Sequence, residues 1–145
     1  MLKTKYRHSS VTIIESKNVG IVGVGESSTE HWGDFCNFVG INQMSAITRA
    51  NATFKVGVYF DKWTDEDFMH CVGVGALDTH ALNVMLHDAC EELGIDIVVD
   101  DLVDVEYKDE NIYALRSEHT KYYADFFIDC SGFKRFLSQD TPWKS

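Results

Sequence analysis

The sequence has a single proline, no Cys-x-x-Cys pair, no Gly-x-Gly-x-x-Gly run and few basic residues. With one proline, 45% hydrophobic and 25% charged residues, it is neither collagen-like nor disordered. Without a Cys-x-x-Cys pair, a zinc ribbon or thioredoxin-type motif has no support. Cys36, Cys71, Cys90 and Cys130 read instead as four buried thiols acting as small hydrophobes. The six histidines lack metal-ligand spacing, and His80 with His87 has no third ligand nearby in sequence, so no metal is expected. Thirteen basic against 23 acidic residues give a net charge of −10, which repels phosphate backbones and excludes a nucleic-acid partner. No run approaches the roughly 18 apolar residues that cross a bilayer. The basic stretch Met1–His8 has no apolar run behind it and so is not a signal peptide. The expectation is a cytoplasmic protein of one domain, with no membrane partner.

What is present reads as α/β. Val11–Ile14 is β-branched and ends at Glu15, a buried strand with a carboxylate at its C-terminal end. Asn18–Gly25 is a glycine-rich loop, and Ser27 with Glu30 suits a capping box. Trp32, Phe35, Cys36 and Val39 follow helical spacing up to Gly40, and Gln43–Arg49 suggests a second helix. From Thr53 to Phe60 the period is two, with Phe54, Val56, Val58 and Phe60 on one face and Lys55, Gly57 and Tyr59 on the other. Asp61–Gly75 has no clear period. Asp78 or Thr79 can cap a helix whose stripe is Leu82, Met85, Leu86, Ala89 and Leu93, closed by Gly94. A meander of strands follows, Ile95–Val99, Leu102–Tyr107, Ile112–Ser117, Tyr122–Tyr123 and Phe126–Ile128, with a polar turn at 108–111. A short helix is expected over Phe133–Leu137.

Four places could carry chemistry. Glu15 resembles the acid that accepts ribose hydroxyls in dinucleotide-binding units, although only ten residues precede Val11 and none is glycine. Gly23, Val24, Gly25, Glu26 and Ser27 could face an anion or flat cofactor with backbone N–H groups. Lys55 sits beside Gly57, which would leave open space around a donor or amine nucleophile. Ile128–Phe133 places Asp129 and Gly132 at the end of an apolar segment, a second approach to a cofactor or simply a turn.

Taken in order, the segments VTIIES, GIVGVGESS, ATFKVGVYFDKW, LDTHALNVMLHDACEELGI and FFIDCSGFKRFL resemble the flavin-dependent tryptophan halogenases. FMHCVG is similar to the family's His-Pro-Phe-Gly, with Cys71 where proline would stand. The resemblance spans about Val11 to Leu137. It implies a glutathione reductase-like FAD-binding core with an antiparallel meander. It also implies chemistry in which reduced FAD, dioxygen and halide give hypohalous acid. Lys55 would present that oxidant to an aromatic substrate such as tryptophan or an indole. Glu15 would hold the adenosine ribose, Gly23–Ser27 would lie against the flavin and Leu102 would meet the adenine. Asp129 and Gly132 would line the pyrophosphate or ribityl side, and His70 would stand near the substrate. A separate flavin reductase would supply reduced FAD.

The departures are equally specific. The first strand with Gly-x-Gly-x-x-Gly is missing, the substrate-domain sequence between Gly75 and Leu77 is collapsed, and Trp-x-Trp-x-Ile-Pro with the catalytic glutamate is not present. Residues 1–145 are therefore expected to form a single incomplete FAD-binding core, inactive as this chain alone. Two other readings stand beside it. One is a non-catalytic piece that self-associates or pairs with a complementing polypeptide. The other is an unrelated small α/β binding domain.

Overall fold

The computed structural model describes residues 2–21, 28–71, 73 and 75–138. In chain order it holds α1 (Leu2–Lys5), β1 (Thr12–Glu15), α2 (Trp32–Val39), α3 (Gln43–Arg49), β2 (Gly57–Phe60), β3 (Phe68–Cys71) and α4 (Thr79–Glu92). β4 (Asp96–Val99), β5 (Leu102–Lys108), β6 (Asn111–Ser117), β7 (Lys121–Tyr122) and a short 3-10 turn (Gly132–Lys134) complete it. Residues 1–13 with 19–98 form one compact unit, and 14–18 with 99–145 form a second.

The β-branched run at the start pairs with β4. The carbonyls of Val11 and Glu15 accept from the N–H groups of Asp96 and Asp100 at 3.1 and 3.0 Å, the same-direction stagger of parallel strands. Parallel neighbours need a crossover, and α2 to α4 lie within it.

In the first unit alanines make up most of the buried core. Ala46, Ala50, Ala52, Leu77 and Met85 are buried, with Trp32, Ile41, Ile47, Ala81 and Leu82 packed around them. The expected stripe on α4 is therefore uneven: Met85 is buried, while Leu82, Leu86, Ala89 and Leu93 are half-buried. Arg49 of α3 also pairs with Asp88 of α4. Asn42 caps α3 by accepting from the Met44 N–H at 2.9 Å.

Asp78 caps α4, its Oδ1 accepting from the N–H groups of His80 and Ala81 at 3.0 and 3.1 Å. The Ala81 N–H is the main reason its carboxyl titrates below the usual carboxylate range. A depressed folded-state pKa stabilises the fold above the ordinary carboxylate range, and that contribution is lost as pH falls through the lowered value. Asp78→Ala is therefore expected to lower the thermal midpoint by a few degrees at neutral pH. The gap between variant and parent should close in acid, and circular dichroism melts across pH would show it. A gap independent of pH would reject the charged cap.

The second unit is an antiparallel meander, β5–β6–β7. Its first turn is the polar one expected at 108–111: Lys108 pairs with Asn111, and Asp109 and Glu110 take φ of 50° and 65°. Two left-handed residues in a two-residue loop match strand twist. Cross-strand pairs support it, Arg116 to Asp104 at 2.9 Å and Lys121 to Glu106 at 2.7 Å.

Several expectations are corrected. Helix α2 begins at Trp32 behind His31, which makes no side-chain cap, so the Ser27–Glu30 capping box does not form at this helix start; Ser27 itself lies outside the described residues. The four-residue α1 was not anticipated, its polar residues giving no apolar period to read. Asp61–Gly75 holds β3, which Phe68-Met69-His70-Cys71 signals only weakly. Phe126–Ile128 forms no strand among the described residues, because a strand requires a ladder partner and none lies beside it; Phe126 is 77% exposed. Phe133–Leu137 gives only the 3-10 turn at Gly132–Lys134, ended by Arg135 at φ 46°. Only Cys36 of the four thiols is buried, while Cys90 is half-buried and Cys71 and Cys130 are exposed. Cys71 lies on a solvated hairpin and Cys130 in an irregular segment, neither of which offers a core. Burial raises the pKa of Cys36.

Candidate functional site

The first unit presents Lys55 on an antiparallel ladder that continues β2 backwards. Its N–H donates to the Gly73 carbonyl at 2.8 Å, and the Gly73 N–H donates back at 3.2 Å. The Gly75 N–H donates to Thr53 at 2.7 Å, so the expected Thr53–Phe60 strand is paired almost throughout. Two residues on, Gly57 pairs with Cys71, Val58 with His70 and Phe60 with Phe68. Pleat parity then sets Lys55 on the face of Gly57, Cys71 and Gly73, and Phe54 and Val56 on the other.

The open space expected at Gly57 is not there. A Cβ on Gly57 would meet the His70 carbonyl oxygen at 2.3 Å, so this glycine admits the partner strand's backbone. The glycine that clears room for Lys55 is Gly75, whose Cβ would stand 2.5 Å from the Cβ of Lys55. The half-buried Lys55 thus packs its Cβ against the backbone of Gly75, and that glycine was missed. Its signal is the alternating Gly73-Val74-Gly75, opposite a strand with a lone lysine.

His70 is exposed and, through its pairing with Val58, lies on the face opposite Lys55. The two residues share one hairpin and not one face. The hairpin end carries an aromatic group, Phe60 stacked on Phe68 at 4.8 Å with Trp63 edge-on at 5.4 Å. The Tyr59 hydroxyl and the Lys62 N–H both donate to Asp67 at 2.8 Å, closing the loop. These donors, the Lys62 N–H first, hold the Asp67 carboxyl below its usual range.

The second unit gathers the cofactor-side candidates. Glu15 ends β1, its carbonyl bound by Asp100, and Leu102 opens β5 two residues later. Beside them Asp101 accepts from Asn18 at 2.6 Å and from Ser16, while Tyr122 donates to Asp100 at 2.6 Å. That Tyr122 bond is the chief cause of a lowered Asp100 carboxyl pKa and a raised Tyr122 pKa. Glu15, Asp100 and Leu102 therefore meet at the carboxyl ends of parallel strands, where open α/β sheets place ligands.

Asp129 has a local occupation. Its Oδ1 accepts from the Ser131 N–H at 2.9 Å and hydroxyl at 2.5 Å, and its Oδ2 from the Leu137 N–H at 2.9 Å. Desolvation pushes its carboxyl up, and these hydrogen bonds outweigh it, so the net pKa is lowered. Asp129 thus organises the turn that Gly132 enters at φ 62°. Gly23, Val24, Gly25, Glu26 and Ser27 lie outside the described residues. Among the described residues, no three His, Cys, Asp or Glu side chains converge as a metal site, and no helix is long and apolar enough to cross a membrane.

A family model described as tryptophan halogenase matches residues 1–84 and 76–145. The 7-chloro-L-tryptophan 6-halogenase KtzR of Kutzneria sp. (strain 744) is 33% identical over 54 residues, 37% of this chain and 10% of that protein. The tryptophan 6-halogenase SttH of Streptomyces toxytricini is 37% identical over 54 residues, again 37% of this chain and 10% of that protein. The crystal structure of SttH superposes with a TM-score of 0.82 at 20% identity, covering 95% of this chain and 42% of that one. Tar14, a tryptophan C-6 flavin-dependent halogenase from taromycin biosynthesis, gives 0.82 at 20% identity, with 96% and 41% covered. The sequence matches thus span about a tenth of the curated relatives' length, and the fold about two fifths of the solved structures.

Proposed function

The chain belongs to the flavin-dependent tryptophan halogenase family, and from that premise we propose that it carries part of the flavin-binding core and the halogen-relay lysine of an enzyme acting on tryptophan or another indole. Its mixed α/β fold is that of the halogenase structures. The single observation that carries the reading is the half-buried Lys55 on a paired strand, where the missing side chain of Gly75 admits it, on the segment that resembles the family's lysine strand.

The residues present fit one end of FAD. Glu15 offers a carboxylate to ribose hydroxyls, and the start of β5 at Leu102 offers backbone to the adenine. Asp129 shapes the turn through which Gly132 would approach the pyrophosphate or ribityl side. Gly23 to Ser27 complete this proposal from sequence. When bound and reduced, by a separate flavin reductase, FAD supplies the reaction of dioxygen with halide that yields hypohalous acid.

The work of this chain is then at Lys55 Nζ. As an ammonium it donates a hydrogen bond to the oxygen of hypohalous acid, polarising the O–halogen bond toward an electron-rich ring. As a free amine it takes the halogen itself, forming N–halogen with loss of water, and passes it to a ring carbon, whose lost proton balances the one the nitrogen regains as the free amine re-forms. His70 lies on the other face of the hairpin and takes no part in the chemistry at Nζ. We read residues 1–145 as a single incomplete core, without the Gly-x-Gly-x-x-Gly strand.

A titration with FAD tests the reading. A yellow complex with a dissociation constant at or below tens of micromolar, about −6 kcal/mol, is expected. No complex at that concentration rules out an independent flavoprotein. It would leave the second reading, a piece completed by another polypeptide or by its own copy. Phe54 and Val56 favour that reading, being 73% and 76% exposed on one hairpin face.

A further inference from the structure

Lys55 has a second nucleophile beside it on its own face of the hairpin. Gly73 stands opposite Lys55, and two residues along the same ladder Cys71 stands opposite Gly57. Lys55 and Cys71 are therefore diagonal neighbours, and the other two corners of that cell are glycines. Diagonal positions across an antiparallel pair lie about 7–8 Å apart, within reach of a long side chain. No side chain in the cell separates the amine from the thiol. The His70 carbonyl oxygen excludes a Cβ at Gly57, so the gap is built into the strand pairing. Cys71 is exposed, and an oxidant in solution reaches it.

We propose that Lys55 and Cys71 form a redox-sensitive pair, which hypohalous acid closes into a sulfenamide, a covalent S–N bond that takes Nζ out of use until a thiol reopens it. Its regulatory meaning rests on the reading of Lys55 as the halogen relay, while the bond itself rests on the strand register. The Cys71 sulfur attacks the halogen of hypohalous acid. The S–halogen bond forms, the O–halogen bond breaks, and the thiol proton leaves with the hydroxide as water. The free amine of Lys55 then attacks the sulfur. The S–N bond forms, halide departs with the bonding pair, and the nitrogen gives up one proton. Sulfur is oxidised by two electrons, and hypohalous acid is reduced to halide and water. A dithiol reverses the closure, returning thiol and amine as it becomes a disulfide itself. Oxidant that finds no aromatic ring is thus consumed at Cys71, and the lysine that would deliver more of it is locked.

The test is to treat the chain with less than one equivalent of hypochlorous acid and sequence its tryptic peptides by mass spectrometry. Cleavage at Lys62 leaves Lys55 and Cys71 on separate peptides. The expected product joins them with loss of two hydrogens, and dithiothreitol parts them again. In Lys55→Met the Cys71 sulfur should pass instead to sulfinic and sulfonic acids that dithiothreitol does not reduce. No joined peptide in the parent overturns the proposal. So does an equal yield of bonds from Cys71 to other lysines, or from the exposed Cys130. In the halogenating protein, turnover should fall in proportion to the joined fraction and return with dithiothreitol, and Cys71→Ser should show no such reversible loss. A joined peptide with turnover unharmed would show that the pair forms and that Lys55 is not the relay, which overturns the reading beneath.

Discussion

Lys55→Ala is expected to lower halogenation by the protein that carries this chain by about 100-fold or more, with FAD affinity within about two-fold of the parent. A methyl group can neither donate to hypohalous acid nor carry the halogen, and no described neighbour on its face replaces it: Gly57 and Gly73 have no side chain, Cys71 is a thiol and the Tyr59 hydroxyl already donates to Asp67. The cofactor-side residues Glu15 and Leu102 belong to other strands, so flavin binding has no reason to fall. Product analysis with reduced FAD, oxygen and halide, beside a flavin titration of both forms, measures the two quantities. Retained turnover would remove Lys55 from the relay. A parallel loss of flavin would make its role structural. Lys55→Met, of similar length without the amine, is expected to match the alanine variant, which separates the loss of Nζ from the loss of packing.

Among the described glycines, Gly57→Ala is expected to damage the fold most. Its Cβ would stand 2.3 Å from the His70 carbonyl oxygen, 3.0 Å from the His70 carbonyl carbon and 3.1 Å from the Cys71 Cα. All three are backbone atoms of β3, so no side-chain rotation relieves the overlap and the hairpin must open. Overpacking against backbone of this kind costs about 3 kcal/mol, roughly 10 °C in thermal midpoint for a domain of this size. Gly20→Ala is the control, since a Cβ there meets nothing within 4 Å. Equal melting of Gly57→Ala and parent would show that the strands are not paired as described.

Much of the fold was legible because local chemistry and tertiary context agree. The β-branched Val11–Ile14, the Asp78 cap and the polar turn at 108–111 each carry their own instruction, in side-chain shape, in an acceptor for orphan N–H groups and in a tight turn. Where the reading failed, the deciding atom lay elsewhere in the chain. Phe126–Ile128 has strand composition and no ladder partner among the described residues. Ser27 and Glu30 have capping-box spacing, yet the helix starts at Trp32 and Glu30 turns toward His70.

The candidate site divides the same way. Lys55 on an alternating strand, Glu15 at a strand end and the family itself could be read from residue types in order, because they depend on period and motif. Which glycine makes room for Lys55, and which face His70 takes, could not. Those follow from the register of two strands whose residues lie some fifteen positions apart, and a one-residue slip would exchange every face. The shortages noted at the outset behave alike. The missing Cys-x-x-Cys and the net charge of −10 are legible in composition alone. The sequence by itself thus determined the family, the α/β order and the place of Lys55 on an alternating strand. Only the tertiary structure decided that Gly75 admits the Lys55 side chain, that Gly57 seats the neighbouring strand and that Glu30 meets His70, because close approach between residues distant in sequence leaves no local trace in the residues that make it.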